Sequence, residues 1–231
     1  MLGVNMECCG MVDTDMPAWC EWLKRHLRSH AIVLPMVAGE VNFAHNGLTS
    51  KGVDELLSTL IACGIRVEVL KFHHNYIRDA SAIRVFIVYG KGYLRELHLS
   101  HNFLGTSCAA KIVITASITC KDSGEYAYPN CGGKVPLWLR LEQNQVHNET
   151  FVQLVDAGQR GIGRTGQLVC RVDGNTGCTP HCCRVFYKAP AVHITYIQIQ
   201  RPWFWGWGPA IISGQRPYWS NAASHRLGLP A

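Results

Sequence analysis

Four asparagines recur at equivalent places in four copies of one short pattern, and a chain that repeats itself this way has few folds open to it. Val41-x-Phe43-x-x-Asn46-x-Leu48, Leu70-x-Phe72-x-x-Asn75-x-Ile77, Leu97-x-Leu99-x-x-Asn102-x-Leu104 and Leu139-x-Leu141-x-x-Asn144-x-Val146 all fit L-x-L-x-x-N-x-L. Three residues before the first apolar position stand Ala38, Val67 and Leu94, with Pro136 in the fourth copy. Alternating apolar residues face one side of a strand. The Asn that follows predicts a turn out of that strand, with the amide satisfying backbone groups that would otherwise be buried unpaired. The anchors are separated by 75−46 = 29, 102−75 = 27 and 144−102 = 42 residues. The last gap is a repeat of normal length plus roughly 14 residues. The polar, Gly-rich segment Cys120–Lys134 accounts for the surplus and is expected to be an inserted surface loop.

A second periodicity follows each Asn. Six residues on stand Gly52, Ser81, Cys108 and Thr150, all small or short; ten residues on stand Leu56, Val85, Ile112 and Leu154, all aliphatic. Val53, Leu56, Leu57 and Leu60 fall at i, i+3, i+4, i+7, as do Ala109, Ile112, Val113 and Ala116, which is one face of a helix. The run Asn46-x-Leu48-Thr49-Ser50-x-Gly52-Val53-x-x-Leu56-Leu57-x-x-Leu60 resembles the long, helix-containing leucine-rich repeats of ribonuclease inhibitor and NLR-type receptors, a resemblance that covers roughly residues 31–158. It implies an α/β fold: a short leucine-rich-repeat solenoid with parallel strands on the concave face and helices on the convex face. It also implies a partner-binding surface, because the strand residues between the inward-pointing ones face the concavity. That surface would hold Asn42, Lys71, His98 and Arg140 in one column, extended by Arg171 if a fifth repeat is present, and Glu40, Val69, Glu96 and Trp138 in the next. Parallel strands set such neighbours about 4.8 Å apart. Lys71, His98, Arg140 and Trp138 would then engage an acidic or phosphorylated protein, unless these are only solvated strand positions.

The rest of the chain reads as caps. Residues 1–16 look like a disordered start. Residues 17–158 form the solenoid, opened by a cap helix over 17–31 in which Trp19, Trp22, Leu23, His26 and Leu27 recur at helical spacing, with Pro17 suited to a first turn behind Asp15. Lys24, Arg25 and Arg28 would give an amphipathic membrane helix its polar face, but a solenoid end needs covering and an anchor is not required. Residues 159–200 read as a β-rich cap. Cys170-x-Val172-x-x-Asn175-x-Gly177 is a degenerate fifth unit, and Val185–Tyr187 and Val192–Gln200 alternate as strands do. Residues 201–231 have no period. Trp203, Phe204, Trp205, Trp207, Tyr218 and Trp219 there suit either a docking tail or a loosely ordered terminus. The net charge of +6 is too small to diagnose a nucleic-acid binder. No apolar stretch is long enough to span a membrane, and residues 1–15, free of Lys and Arg, make a poor secretory signal, so a cytoplasmic or nuclear protein is expected.

Chemistry is sparse. No P-loop, nucleophile elbow or H-E-x-x-H is present. Gly161-x-Gly163-x-x-Gly166 lacks the flanking elements of a dinucleotide fingerprint and reads as a flexible loop. His45, His74 and His101 each precede a repeat Asn, which marks them as repeat positions and not as an active centre. Among eleven cysteines, Cys63 and Cys108 fall on packed helix positions as small core residues, while Cys8 and Cys9 lie in the irregular start. Cys170, Cys178, Cys182 and Cys183 crowd together with His181 and His193. Cys178-x3-Cys182 has the spacing of one zinc pair, and Cys170 with His193, His181 or Cys183 could complete a site. The set Cys170, Cys178, Cys182 and His181 is therefore a candidate structural zinc site, with a disulfide or free thiols as alternatives. No other cofactor is suggested. Two functional readings follow: a non-enzymatic interaction module or scaffold subunit holding a protein on the concave face, or an RNA-associated protein using the basic column and the aromatic tail.

Overall fold

The computed structural model describes residues 2–29, 36–130, 134–173 and 175–195. The aromatic segment 201–231 and residues 196–200 of the expected last strand lie outside the described residues. In chain order the elements are β1 (Leu2–Asn5), α1 (Met16–Ser29), β2 (Met36–Asn42), α2 (Ser50–Ala62), β3 (Ile65–Lys71), α3 (Ser81–Gly90), β4 (Glu96–His98), α4 (Thr106–Ile118), β5 (Leu137–Arg140), α5 (Asn148–Ile162), β6 (Val169–Val172) and β7 (Val192–Thr195), with a single 3-10 turn, Asp13–Asp15, ahead of α1. The described strands make one parallel sheet in the order β1-β2-β3-β4-β5-β7-β6. The chain is thus α/β. From β1 to β5 each helix carries the chain one strand further in the same direction. Right-handed crossovers of that kind leave the helices on one face and the other face open.

The four asparagines stand in file. Each Nδ2 donates back to the preceding unit, to the carbonyls of Met6 (2.8 Å), Phe43 (2.9 Å), Phe72 (2.9 Å) and Leu99 (2.8 Å) for Asn46, Asn75, Asn102 and Asn144 in turn. Each Oδ1 accepts from an amide there: Met11 (2.8 Å), and Leu48, Ile77 and Leu104 (3.0 Å each). The Nδ2 groups also bond carbonyls of their own turn, such as Phe43 for Asn46 and Phe72 for Asn75. The apolar positions of the pattern, from Val41 and Phe43 to Leu139 and Leu141, are fully buried. The residue before each Asn, His45, His74, His101 and Gln143, takes φ near +55° to +58° to make the turn. This left-handed conformation costs a non-glycine residue energy, and a polar side chain tolerates it best.

The start of the chain departs from the expected disorder. β1 pairs with β2 so that Val4 lies beside Val41, and Met6 and Met11 contact Asn46 where Phe43 and Leu48 contact Asn75. Val4-x-Met6-x-x-Cys9-x-Met11 is therefore a further copy with Cys in place of Asn, and Cys8 carries the matching φ of 56°. α1 is the helix of that copy. Trp19, Cys20, Leu23 and Leu27 are buried, and Trp19 meets Phe43 edge-on at 5.0 Å, so the apolar stripe is used internally. The Asp13 carboxylate accepts from the amides of Thr49 (2.8 Å) and Gly52 (3.1 Å), capping α2 from the neighbouring unit. A Cβ on Gly52 would collide with that carboxylate, which explains the glycine.

Four other expectations change. α3 begins six residues after its anchor, where α2, α4 and α5 begin four after theirs. Its buried face is therefore Ile83, Phe86 and Ile87, and Val85 is 59% exposed; in α5 the core residues are Phe151 and Val155, and Leu154 is 38% exposed. The inserted segment is not all surface. Tyr128 is fully buried and donates its hydroxyl to the Leu94 carbonyl (2.7 Å), while Arg164 donates to the Tyr128 carbonyl (2.5 Å). Cys63 and Cys108 are only half-buried, and the core thiol in this half of the molecule is Cys20. Gly163, at φ 63°, ends α5 as its C-cap, with Gly161 inside the last turn, so these glycines terminate a helix.

The fifth unit does not continue the series. Asn175 is exposed in a turn closed by Asp173, and β7, not β6, lies beside β5. Val185–Tyr187 forms no strand. Because β6 overshoots and β7 steps back, a right-handed return passes over the opposite, open face. Cys178 of that return clusters there with Cys170 and Val172, and Cys183, Phe186 and Trp138 pack against this cluster.

Candidate functional site

Strand alternation places two columns on the open face. The register aligns Asn42, Lys71, His98 and Arg140 in one, and Glu40, Val69, Glu96, Trp138, His193 and Cys170 in the other. The second column thus runs from carboxylates through an indole into a histidine and a thiol.

The basic residues of the first column are paired. Lys71 Nζ lies 2.7 Å from Glu40, His98 Nε2 3.2 Å from Glu96, and Arg140 Nε 3.2 Å from Glu142. The His98 hydrogen bond is the main cause holding the Glu96 carboxyl below its ordinary range, against burial, and His181 adds to it from across the face. Asn42 differs from the expectation: it is 3% exposed, accepts from the Ala44 amide (3.0 Å) and donates to Glu7 (3.0 Å). It is a structural residue of the first turns. Arg140, at 43% side-chain exposure, is the most open cation of the column.

Along the rim formed by the left-handed turns, the histidine rings stack: His45 on His74 at 4.1 Å and His74 on His101 at 3.9 Å between centroids. His73, behind them, is pushed down to about 4 by burial first and then by the neighbouring imidazoles. His74 is also lowered, by burial and then by His101.

At the far end the second column closes into a cluster. One donor atom from each of Cys170, Cys178, Cys183 and His193 lies within 4.8 Å of the others. Cys170 and Cys178 Sγ are 3.9 Å apart. His193 is fully buried, and neither ring nitrogen has a hydrogen-bond partner of good geometry. Burial holds its pKa below the ordinary value, only partly offset by the Thr179 backbone. Burial, then the neighbouring thiols, pushes Cys170 up. Burial opposes ionisation of Cys178 too, but the Arg184 amide, which donates to its sulfur at 3.3 Å, and the donors beside it outweigh that and lower its pKa. Cys170 and Cys178 meet as the sequence suggested, whereas Cys182 and His181 do not join them. Cys182 Sγ sits 3.5 Å from the Thr179 hydroxyl, and His181 is exposed towards Glu96. Cys178-x4-Cys183 fits the same C-x(2–4)-C spacing as Cys178-x3-Cys182, so spacing alone leaves the choice open.

No family model, curated protein or solved structure matches the chain.

Proposed function

We propose that the chain is a leucine-rich-repeat protein of the ribonuclease-inhibitor-like class, a non-enzymatic module or scaffold subunit that holds a protein partner on the concave, open face of its strands. The observation that carries this reading is the repeated Asn rung, with Nδ2 on the preceding unit's carbonyl and Oδ1 under its amide at each of four steps. Such a frame repeats side-chain positions along a surface that no helix among the described residues covers, and repeat arrays bind partners on surfaces of that kind. Trp138 supplies the large half-buried anchor that binding hot spots favour, and Arg140 beside it a cation with reach. Lys71, His98 and Arg140 each share a carboxylate, so the surface is mixed in charge. That favours a protein whose own polar groups complement these pairs over RNA, which needs uncompensated cations along a phosphate chain. No helix among the described residues is long and apolar enough to cross a membrane, and the proposed setting is the cytoplasm or nucleus.

The test is affinity capture with quantitative mass spectrometry, comparing the native chain with Trp138→Ala plus Arg140→Glu and with a helix-face control, Val85→Asp plus Leu154→Asp. The reading expects a protein retained by the native chain and the control but lost from the strand-face variant. Equal retention by all three would remove it.

A further inference from the structure

The cluster at the end of the open face asks what four converging soft donors do in a buried place. β6 and β7 set Cys170 and His193 side by side in register, so half the cluster is fixed by the sheet. The return segment supplies the other half, Cys178 and Cys183, as a C-x4-C pair. Trp138, Val172 and Phe186 wall it off with apolar surface. A Cys170–Cys178 disulfide would leave the half-buried Cys183 thiol unused and the buried His193 imidazole with no hydrogen bond, a cost of about 1–3 kcal/mol for the buried ring. One tetrahedral metal ion satisfies all four at once. Thiolates at about 2.3 Å from zinc lie about 3.8 Å from each other along the tetrahedron's edges. The Cys170–Cys178 separation of 3.9 Å matches that edge. The Arg184 amide already donates to Cys178 Sγ, the kind of outer contact that orients a thiolate ligand.

We propose that Cys170, Cys178, Cys183 and His193 bind one zinc ion as a closed structural site. The ion pins the return segment to the sheet and forms the end wall of the open face beside Trp138. All four positions are protein donors, so the site has no place for substrate and is not catalytic. This site stands or falls independently of what the rest of the face binds.

The full-length chain, purified under reducing conditions without added chelator, should carry about one zinc by elemental analysis. Replaced by cobalt, the metal should give the intense d–d bands of tetrahedral coordination with a thiolate-to-cobalt band near that of three sulfurs. Cys183→Ser and His193→Ala should lose the metal or bind it at least tenfold more weakly, while Cys182→Ser and His181→Ala keep it. The cobalt spectrum of the native chain decides the matter should the ligand variants fail to fold. The proposal is overturned by a folded native chain that takes up neither metal, by a spectrum of octahedral or sulfur-free coordination, by metal that leaves with Cys182 but not with Cys183, or by peptide mapping that finds Cys170 and Cys178 joined as a disulfide.

Discussion

The stretch from β1 to α5 and the end built from β6, the return segment and β7 use the same parallel sheet but are held together differently. In the first, each strand is added by a unit that looks like its neighbour, and each Asn bonds the same two backbone positions one unit back. In the second, strand order reverses, the buried side of the strand changes and the repeat Asn is lost to a surface turn. In β5 the residues facing the helices, Leu137 and Leu139, are buried, whereas in β6 the buried pair is Cys170 and Val172, on the open face. A repeated rung stabilises the first region through many equivalent small terms. The second rests on one cluster, and by the inference above on one ion.

The sharpest way to break this contrast is to remove an Asn from each region. Asn102→Ala strips the Ile77 amide of its buried partner and takes one of two side-chain donors from each of the Phe72 and Leu99 carbonyls, which keep Asn75 and Asn144. It should cost about 3 kcal/mol, the unsatisfied amide contributing about 1–3 kcal/mol and each lost carbonyl bond about 1 kcal/mol, with partial relaxation. Asn175→Ala, in an exposed turn, should change stability by less than about 0.5 kcal/mol. Urea midpoints for both variants check this. Equal losses would mean that Asn175 belongs to the ladder after all.

A smaller effect tests whether the first copy is a true member of the series. Gly52→Ala drives a methyl into the Asp13 carboxylate that caps α2 from β1's unit. Overpacking of this kind costs about 2 kcal/mol. Ser81→Ala, at the equivalent sequence position but exposed, should be close to neutral. A neutral Gly52→Ala would show that the Asp13 turn is free to move away and that the first copy is only loosely attached.

These two tests also mark how far the sequence could be read. Four copies with Asn were legible because strand alternation and the turn amide are local demands, met by residues within eight positions. The copy at the start was missed because Cys9 replaces the anchor and the helix begins seven residues after it, behind the Asp13–Asp15 turn. The helix columns were misaligned in α3 because its buried residues stand one position later than those of α2; one residue rotates a helix by about 100°, and a column read at fixed spacing cannot sense that. Tyr128 was missed because a segment full of turn formers hid a single core aromatic. The column on the open face was legible, but the pairing of its basic residues was not: Glu40 and Glu96 were read only as a neighbouring column, and Glu142 lies outside the strand pattern. The metal-ligating set depended on which strand would lie beside β5, a long-range outcome with no local signal; the alternation of Val192, His193 and Ile194 marked a strand without fixing its neighbours.

The pH response separates the two regions on a finer scale. His73 sits in the first region with a pKa pushed from 6.5 down to about 4, mainly by burial. The unfolded chain therefore binds this proton more readily than the folded one. Stability from the neutral ring is fully present above about 6.5 and is lost as pH falls towards 4. Unfolding midpoints should decline over that window in the native chain. His73→Gln, which keeps a polar side chain without the proton, should flatten the upper part of the decline. An unchanged slope would assign it to His74 and His193, whose pKa values burial also lowers, since the depressed carboxyl of Glu96 titrates below this window.

The smallest expected change in stability carries the most functional weight. Arg140 and Glu142 form a partly exposed pair at 3.2 Å. Pairs of that kind contribute about 0–1 kcal/mol because water screens them and both side chains lose freedom. Arg140→Ala should therefore leave the urea midpoint almost where it was. Yet the residue stands at the junction of the two regions, between the repeated face and the Cys–His wall, one position along the strand from Leu139 and two from Trp138. On the binding proposal its loss should weaken retention of the captured partner several-fold, and Arg140→Glu more, since reversal sets a second carboxylate beside Glu142. An Arg140→Ala chain with native stability and native retention would move the partner's footprint off this junction and towards the stacked histidines at the rim, or off the face altogether.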